Sequence, residues 1–440
     1  MSLQNRNDEN TIRELGLTWT EFTGRLLPKS SAIAECGKEY SARGITPQSV
    51  SVKGLMINQR AWIRFATERL AADHARSADT HLIRLEQRRS SDVAIYLKDE
   101  STHPSGSLKH RLARSLFLYG IANGWIREGR TVIEASSGST AISEAYFASL
   151  VQVPYIAVVP ANTATKKTAA IEFYGGRVEK VPDAAGMENR CRELAAQLDG
   201  HFIDQFTYAE RATDWRGNNN IAESLFAQMA QERNPIPDWV VVGAGTGGTS
   251  ATIGRYIRYR PELAARTRLC VVDPHGSAYF PSFRESNPLS TGACSGVVEG
   301  IGRPRVEASF IPSVIDCMVS VPDAASVAAC LWLESRIGRR VGPSTGTNLI
   351  GTLNLAGQME AARRGGSLVS LICDGGDRYS DTIYDPAWRA LQGLDLAPWS
   401  AQLQEYERTG RFEDRSDSSG HAGIAICDRS TVRDDPIFEI

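Results

Sequence analysis

Lys109 is the side chain of this 440-residue chain best placed to do chemistry, and the stretch LKDESTHPSGSLKHR (97–111) is what places it. A β-type run, Val93 to Leu97, ends in Lys98, Asp99 and Glu100 and passes into a turn punctuated by Pro104 and Gly106. From Ser107 a helical pattern follows, with Leu108, Leu112, Leu116 and Tyr119 on one face, so Lys109 falls in a first helical turn. Unpaired N–H groups already make that turn partly positive, which disfavours a cation there. The same field, helped by desolvation, lowers an amine's pKa and leaves more of it as the free nucleophile that forms Schiff bases. On this stretch alone a solvated lysine beside His110 and Arg111 is an equal reading.

Two clusters of small residues have the composition of anion sites. Ser136-Ser137-Gly138-Ser139-Thr140 follows one apolar run, and Gly243 to Thr249 follows another. Gly, Ser and Thr at helix starts let backbone N–H groups approach a phosphate or carboxylate closely. The second cluster also satisfies G-x-G-x-x-G through Gly243, Gly245 and Gly248, with Asp273 ending the next strand where the ribose-binding acid of an NAD-dependent dehydrogenase would stand. That reading leaves the other anion-ready loops unused. The run Gly245-Thr246-Gly247-Gly248-Thr249 is also richer in glycine and hydroxyl than a pyrophosphate turn requires, and suits a phosphate monoester caged from several sides. Gly342 to Gly346 is literally G-x-S-x-G, followed by Asp374 or Asp377 and then His421 in the order of an α/β-hydrolase. The run before it, Arg339-Arg340-Val341, is a poor strand, and His421 lies in a polar tail too loosely held for a base. The acid pairs Asp238 with Glu223 and Asp374 with Asp377 read as helix-capping and loop acids.

The elements that must position these residues alternate. Candidate strands are Thr131 to Ile133, Tyr155 to Val159, Val178 to Val181, His201 to Ile203, Trp239 to Val242, Leu269 to Val272, Val314 to Val321 and Leu368 to Cys373. Between them helices are predicted over about 139–150, 164–173, 186–198, 217–233, 248–260, 323–337 and 346–363, with another over 57–76. Strands apolar throughout and separated by helices mean parallel sheets with helices on both faces, an α/β fold whose binding crevice lies beyond the C-terminal strand ends. Both small-residue clusters fall at such ends.

Composition sets the outer bounds. With 42% hydrophobic and 23% charged residues and a net charge of −2, the chain has the make-up of an ordinary globular protein without a general attraction for nucleic acid or membrane. The polar start MSLQNRNDEN and the absence of a long apolar run make a cytoplasmic protein the expectation. The eight cysteines are scattered, with no C-x-x-C pair and no paired Cys and His spacing, so neither a metal site nor a disulfide framework is expected. Cys36 and Cys427 stand in polar surroundings, whereas Cys270, Cys317 and Cys373 lie inside apolar runs. No internal repeat is evident.

Lys109 in SGSLKHR, the SSGST loop, the GTGGT loop, Glu299-Gly300-Ile301-Gly302 and Pro343-Ser344-Thr345-Gly346 occur in this order. In that combination the chain, from about residue 80 to 376, resembles the pyridoxal-phosphate enzymes of the cysteine synthase and cystathionine β-synthase family. The resemblance implies the two-domain, tryptophan synthase β-like architecture known as fold type II, with pyridoxal 5'-phosphate in the cleft. By position, Lys109 matches the lysine that holds the cofactor as a Schiff base and later moves the α-proton. Gly245, Thr246, Gly247, Gly248 and Thr249 match the loop that binds the cofactor phosphate, and Ser344 the serine that meets the pyridine nitrogen. Ser136, Ser137, Gly138 and Thr140 match the loop that grips the substrate α-carboxylate, joined by Gln205. Ser139 stands where the family usually has an asparagine that touches the cofactor ring oxygen, and serine is shorter.

SSGST, RATDWRGNNNIAES and EGIGRPRVE together look most like the L-cysteine desulfhydrase branch. The implied reaction is β-elimination on L-cysteine through an α-aminoacrylate, giving sulfide, pyruvate and ammonia. The alternative is β-replacement on an O-activated serine. Arg216 and Asn218 to Asn220 are candidates for a wall that sets substrate choice, or for a capped helix start. The expected organisation is an extension over 1–50 and a larger cofactor-binding domain from 51–102 and 213–392. A smaller mobile domain over 103–212 closes over the carboxylate, and 393–440 form a tail. A homodimer follows from the resemblance alone.

Overall fold

The computed structural model describes residues 52–76, 79–87, 90–293, 296–412 and 423–429. Its strands are β1 (His81–Arg84), β2 (Val93–Asp99), β3 (Val132–Ala135), β4 (Tyr155–Pro160), β5 (Arg177–Val181) and β6 (His201–Phe202). They continue with β7 (Trp239–Gly243), β8 (Arg268–Pro274), β9 (Cys317–Val321), β10 (Gly366–Ile372) and β11 (Ala425–Asp428). These form a seven-stranded sheet in the order β1-β2-β10-β7-β8-β9-β11 and a four-stranded sheet in the order β5-β4-β3-β6. The small sheet is parallel throughout. The large one is parallel from β2 to β9, with antiparallel β1 and β11 at its edges. This is the α/β architecture expected of the sequence.

The continuous apolar character of the central strands follows from their two-sided burial. Successive side chains of a strand point to opposite faces. Trp239, Val241, Cys270, Val272, Cys317 and Val319 therefore feed one apolar layer, and Val240, Val242, Leu269, Val271 and Met318 the other. The small sheet repeats the pattern, with Val132, Tyr155, Ala157 and Val159 on one side and Ile133, Ala135, Ile156 and Val158 on the other. Trp62, Ala66 and Leu70 of the helix Val52–Arg76 pack in the same layer as Leu112, Leu116 and Phe117 of the helix Lys109–Ala122. The described residues from Trp62 onward form one compact unit that contains both sheets.

Three expectations need correction or lie outside view. The stretch 393–440 is not simply a tail: the helix Ala397–Thr409 buries Leu403 and Tyr406 in the main core, and β11 pairs antiparallel with β9. A four-residue run beside β9 covers what would otherwise be an open sheet edge. The helix expected from 217 begins only at Ile221, because Asn218 and Asn219 hold left-handed backbone and the Asn220 side chain caps the Ala222 and Glu223 N–H groups. The extension 1–50, Cys36, Cys294, the polar link 413–420 and His421 lie outside the described residues. Among the described residues no helix is long and apolar enough to cross a membrane, and no cluster of His, Cys, Asp and Glu could hold a metal.

Candidate active site

The turn before Lys109 is stitched to the end of β10. The Leu108 N–H donates to the Cys373 carbonyl at 2.8 Å, Ser107 bridges Asp374, and the Gly375 N–H reaches the Gly106 carbonyl at 3.3 Å. Two residues beyond Lys109, Arg111 clamps the buried Glu100 with Nε on Oε2 at 2.7 Å and Nη2 on Oε1 at 3.0 Å. His103 meets the same carboxylate at 2.9 Å. Burial alone would raise Glu100, but Arg111 and His103 hold its carboxyl well below the usual range. A paired, hydrogen-bonded charge of this kind fixes the rotation of the helix Lys109–Ala122.

Lys109 thereby enters a cleft of about 940 Å³ between the C-terminal strand ends of the two sheets. A Cβ built on Gly245 would stand 3.7 Å from Lys109 Nζ and would overlap the Gly300 carbonyl, so the amine and the glycine loop face each other. Desolvation lowers the pKa of the Lys109 amine; Cys373 and Asp374 oppose the shift and Arg303 adds to it.

The glycine loop is shaped by close approach. Gly247 has φ +91°, and a Cβ there would lie 2.5 Å from the Ser309 carbonyl. Tyr279, stacked on Phe310, donates its hydroxyl to the Gly245 carbonyl at 2.7 Å. Thr246 Oγ1 accepts from the Gly248 N–H at 3.2 Å, and the helix Gly248–Tyr259 starts there. Gly245, Thr246, Gly247 and Thr249 line the cleft with Lys109; Gly248 does not, being packed behind the loop against Ala209.

On the facing side, the helix Ser139–Val151 opens directly after the Ser136–Gly138 turn. Ser136, Ser137, Gly138, Ser139, Thr140 and Gln205 all line the cleft. Thr140 Oγ1 donates to Gln205 Oε1 at 2.8 Å. Ser139 Oγ accepts from Arg378 Nη1 at 2.8 Å, so its hydroxyl is held by a cation from the segment after β10. Ser344, at the head of the helix Pro343–Ala361, reaches the same cleft beside Cys373. Asn348 Nδ2 donates to Cys373 Sγ at 3.2 Å, and burial pushes that thiol up to about 12.

Other candidates stand elsewhere. Asn218, Asn219 and Asn220 line a separate small pocket behind the Lys109 helix, and Arg216 stacks on Trp215 at 4.0 Å. They therefore do not form a wall of the main cleft. Asp273 is fully buried and accepts the Phe280 N–H at 2.8 Å, so it presents nothing to a ribose. Arg378, Asp374, Cys373 and Arg303, none of them assigned a role from the sequence, also line the cleft. The rule that ligands gather beyond C-terminal strand ends points to the first three, which directly follow β10.

An amine facing close-approach glycines in a cleft at the C-terminal strand ends of two sheets is the arrangement that the resemblance to pyridoxal-phosphate enzymes implied. The chain belongs to the pyridoxal-phosphate dependent enzyme family, whose model matches residues 76–374. It is 56% identical over 357 residues to L-cysteine desulfhydrase Cds1 of Mycobacterium tuberculosis, covering 80% of this chain and 96% of that protein. It is 29% identical to N-(2-amino-2-carboxyethyl)-L-glutamate synthase of Cupriavidus metallidurans, over 71% of this chain and 91% of that one. The crystal structure of O-ureido-L-serine synthase matches with TM-score 0.61 and 26% identity, over 71% of this chain and 96% of that chain. Pyridoxal phosphate is the cofactor of the family, and the residues present fit it. Gly245 and Gly247, packed so closely on the Gly300 and Ser309–Phe310 main chain that neither has room for a side chain, line the cleft with bare backbone, and an amine of lowered basicity stands beside them.

Proposed function

We propose that the protein is an L-cysteine desulfhydrase, converting L-cysteine and water to sulfide, pyruvate and ammonia by β-elimination. The extent of the match to the mycobacterial desulfhydrase carries the choice of substrate. Bound pyridoxal phosphate supplies an electron sink for the pair left when the α-proton departs. Lys109 holds the cofactor and moves that proton, and its burial keeps the amine available as a base. Gly245 to Thr249 hold the phosphate through backbone N–H groups at a helix head, with Gly248 shaping the loop from behind. Ser344, by the resemblance, would face the pyridine nitrogen with a neutral hydroxyl, which would make the ring a weaker sink than an aspartate would and favour loss of a β-substituent over transamination.

Ser136, Ser137, Gly138, Thr140 and Gln205 receive the α-carboxylate. The Thr140 proton is committed to Gln205 Oε1, which leaves the Gln205 NH2 to donate to the substrate. At the outer wall of the cleft Lys167 pairs with Glu299 at 2.6 Å, and Arg303 and Arg305 both pair with Glu307. Cations already matched in this way suit an uncharged β-substituent such as a thiol. The resemblance extends the proposal to a cytoplasmic homodimer in which 103–212 close as a lobe on 51–102 and 213–392.

Similarity to synthases keeps β-replacement as the second reading. Holoenzyme given L-cysteine alone is expected to release sulfide and pyruvate in equal amounts. Lys109→Ala is expected to keep its circular dichroism but lose the yellow chromophore and turnover by about a thousandfold or more. Silence on cysteine, with cysteine formed from O-acetylserine and sulfide, selects the synthase. Full turnover by Lys109→Ala overturns the role given to that residue.

A further inference from the structure

Beneath the Ser136–Thr140 loop lies a group of buried acids that the proposed reaction does not use. Glu134, on β3 two residues before the loop, is fully buried. Its Oε1 accepts from the Ala135 N–H at 2.7 Å and its Oε2 from the Gln205 N–H at 3.1 Å. The first bond fixes the backbone that enters the loop. The second fixes the first residue of the helix Gln205–Ala212, whose side chain returns to the loop at Thr140. One carboxyl thus closes a ring through Ala135, the loop, Thr140 and Gln205. Glu144, also fully buried, lies on the helix that follows the loop; its Oε2 accepts from the Tyr155 hydroxyl at 2.9 Å and its Oε1 has no partner.

We propose that Glu134 is a positioning residue for the substrate α-carboxylate, tying the Ser136–Thr140 loop to the head of the Gln205 helix so that both converge on one anion. The proposal rests on the reading of that loop as the carboxylate site. Charge supports it as well as geometry. Burial raises the Glu134 carboxyl, and Asp204 and Glu188 push in the same direction, against the two N–H bonds. The groups that face Glu134 are Glu144 on the following helix, Tyr155 on β4, Glu188 and Cys191 on the helix Met187–Gln197, and Asp204 at the head of the Gln205 helix. None of these is basic. Protonated, Glu134 leaves the ground beneath the loop uncharged; ionised, it sets a buried negative charge against the incoming carboxylate. Carboxylate binding is therefore strongest while Glu134 keeps its proton and weakens as pH rises through its raised range.

The test compares L-serine with ethanolamine, the same molecule without its carboxylate, each titrated into holoenzyme and followed by cofactor absorbance. Glu134→Gln loses one N–H acceptor, and is expected to weaken L-serine about tenfold while ethanolamine changes by less than about twofold. The preference of wild type for L-serine should fade toward alkaline pH, whereas that of Glu134→Gln should not. Asp204→Asn keeps an acceptor for the Thr207 N–H and removes an acid that raises Glu134, so the pH at which wild-type preference fades should move down; this variant serves if Glu134→Gln does not fold. Equal losses for both ligands, or a preference in wild type that is unchanged in either variant, overturn the proposal. A wild type that does not distinguish the two ligands sinks instead the carboxylate-loop reading on which it rests.

Discussion

Asp273 shows at the scale of one residue how a strand end is used for structure where its position suggested chemistry. It accepts the Phe280 N–H through Oδ2, while Oδ1 is buried without a partner. Burial pushes its carboxyl up to about 7, against the Ser277 and Phe280 hydrogen bonds. A folded-state pKa above the unfolded value means stability that is complete below about pH 4 and lost as pH rises through about 7. A shift of that size corresponds to about 4 kcal/mol as an upper figure. Asp273→Asn is expected to flatten this slope, so that its melting temperature relative to wild type climbs between acid and neutral pH. A parallel pair of curves would show that Asp273 is ionised in the fold at little cost. Lys109 was legible in the sequence because a cation in a first helical turn is a local oddity. Glu134 and Arg378 were not, since a buried acid on a strand and an arginine in a loop are recognised only by what folds against them.

At the scale of elements, the glycine loop is a backbone shape before it is a binding site. Gly247 combines left-handed backbone with contact against Ser309 and Phe310, so Gly247→Ala meets both a conformational cost of about 1–2 kcal/mol and a collision with main chain. The loop must shift, and the N–H groups it aims must shift with it. The cofactor dissociation constant of Gly247→Ala is expected to rise by about tenfold or more, read by titrating apoprotein with pyridoxal phosphate. Unchanged affinity would show that this loop does not cradle the phosphate. The sheet strands were readable because two-sided burial writes continuous apolar runs, as in Trp239–Gly243 and Gly366–Ile372. The helix Gln205–Ala212 and β11 were missed for opposite reasons: the helix is two turns long and gives little periodicity, and β11 is four residues embedded in polar sequence.

Across the whole molecule, the two sheets meet at the cleft through polar groups on facing elements. Lys167 pairs with Glu299, Lys166 with Asp381, and Arg305 with Glu188, each joining a helix beside the small sheet to a segment of the large one. Arg378 adds its hydrogen bond to Ser139. These are partly exposed contacts, each worth about 0–1 kcal/mol and screened by salt. A rim of weak pairs can hold a closed cleft and still release it on every turnover, which a large apolar contact could not. If residues 103–212 close as a lobe, Lys167→Gln with Arg305→Gln removes two of the pairs and favours the open cleft. The double variant is expected to raise KM by about threefold to tenfold at low salt with kcat unchanged or increased. Wild type in about 1 M salt should approach the same KM, while the double variant should respond little to added salt. If KM is indifferent to both the substitutions and the salt, the rim pairs do not govern closure, and apolar packing beneath the cleft sets the distance between the sheets.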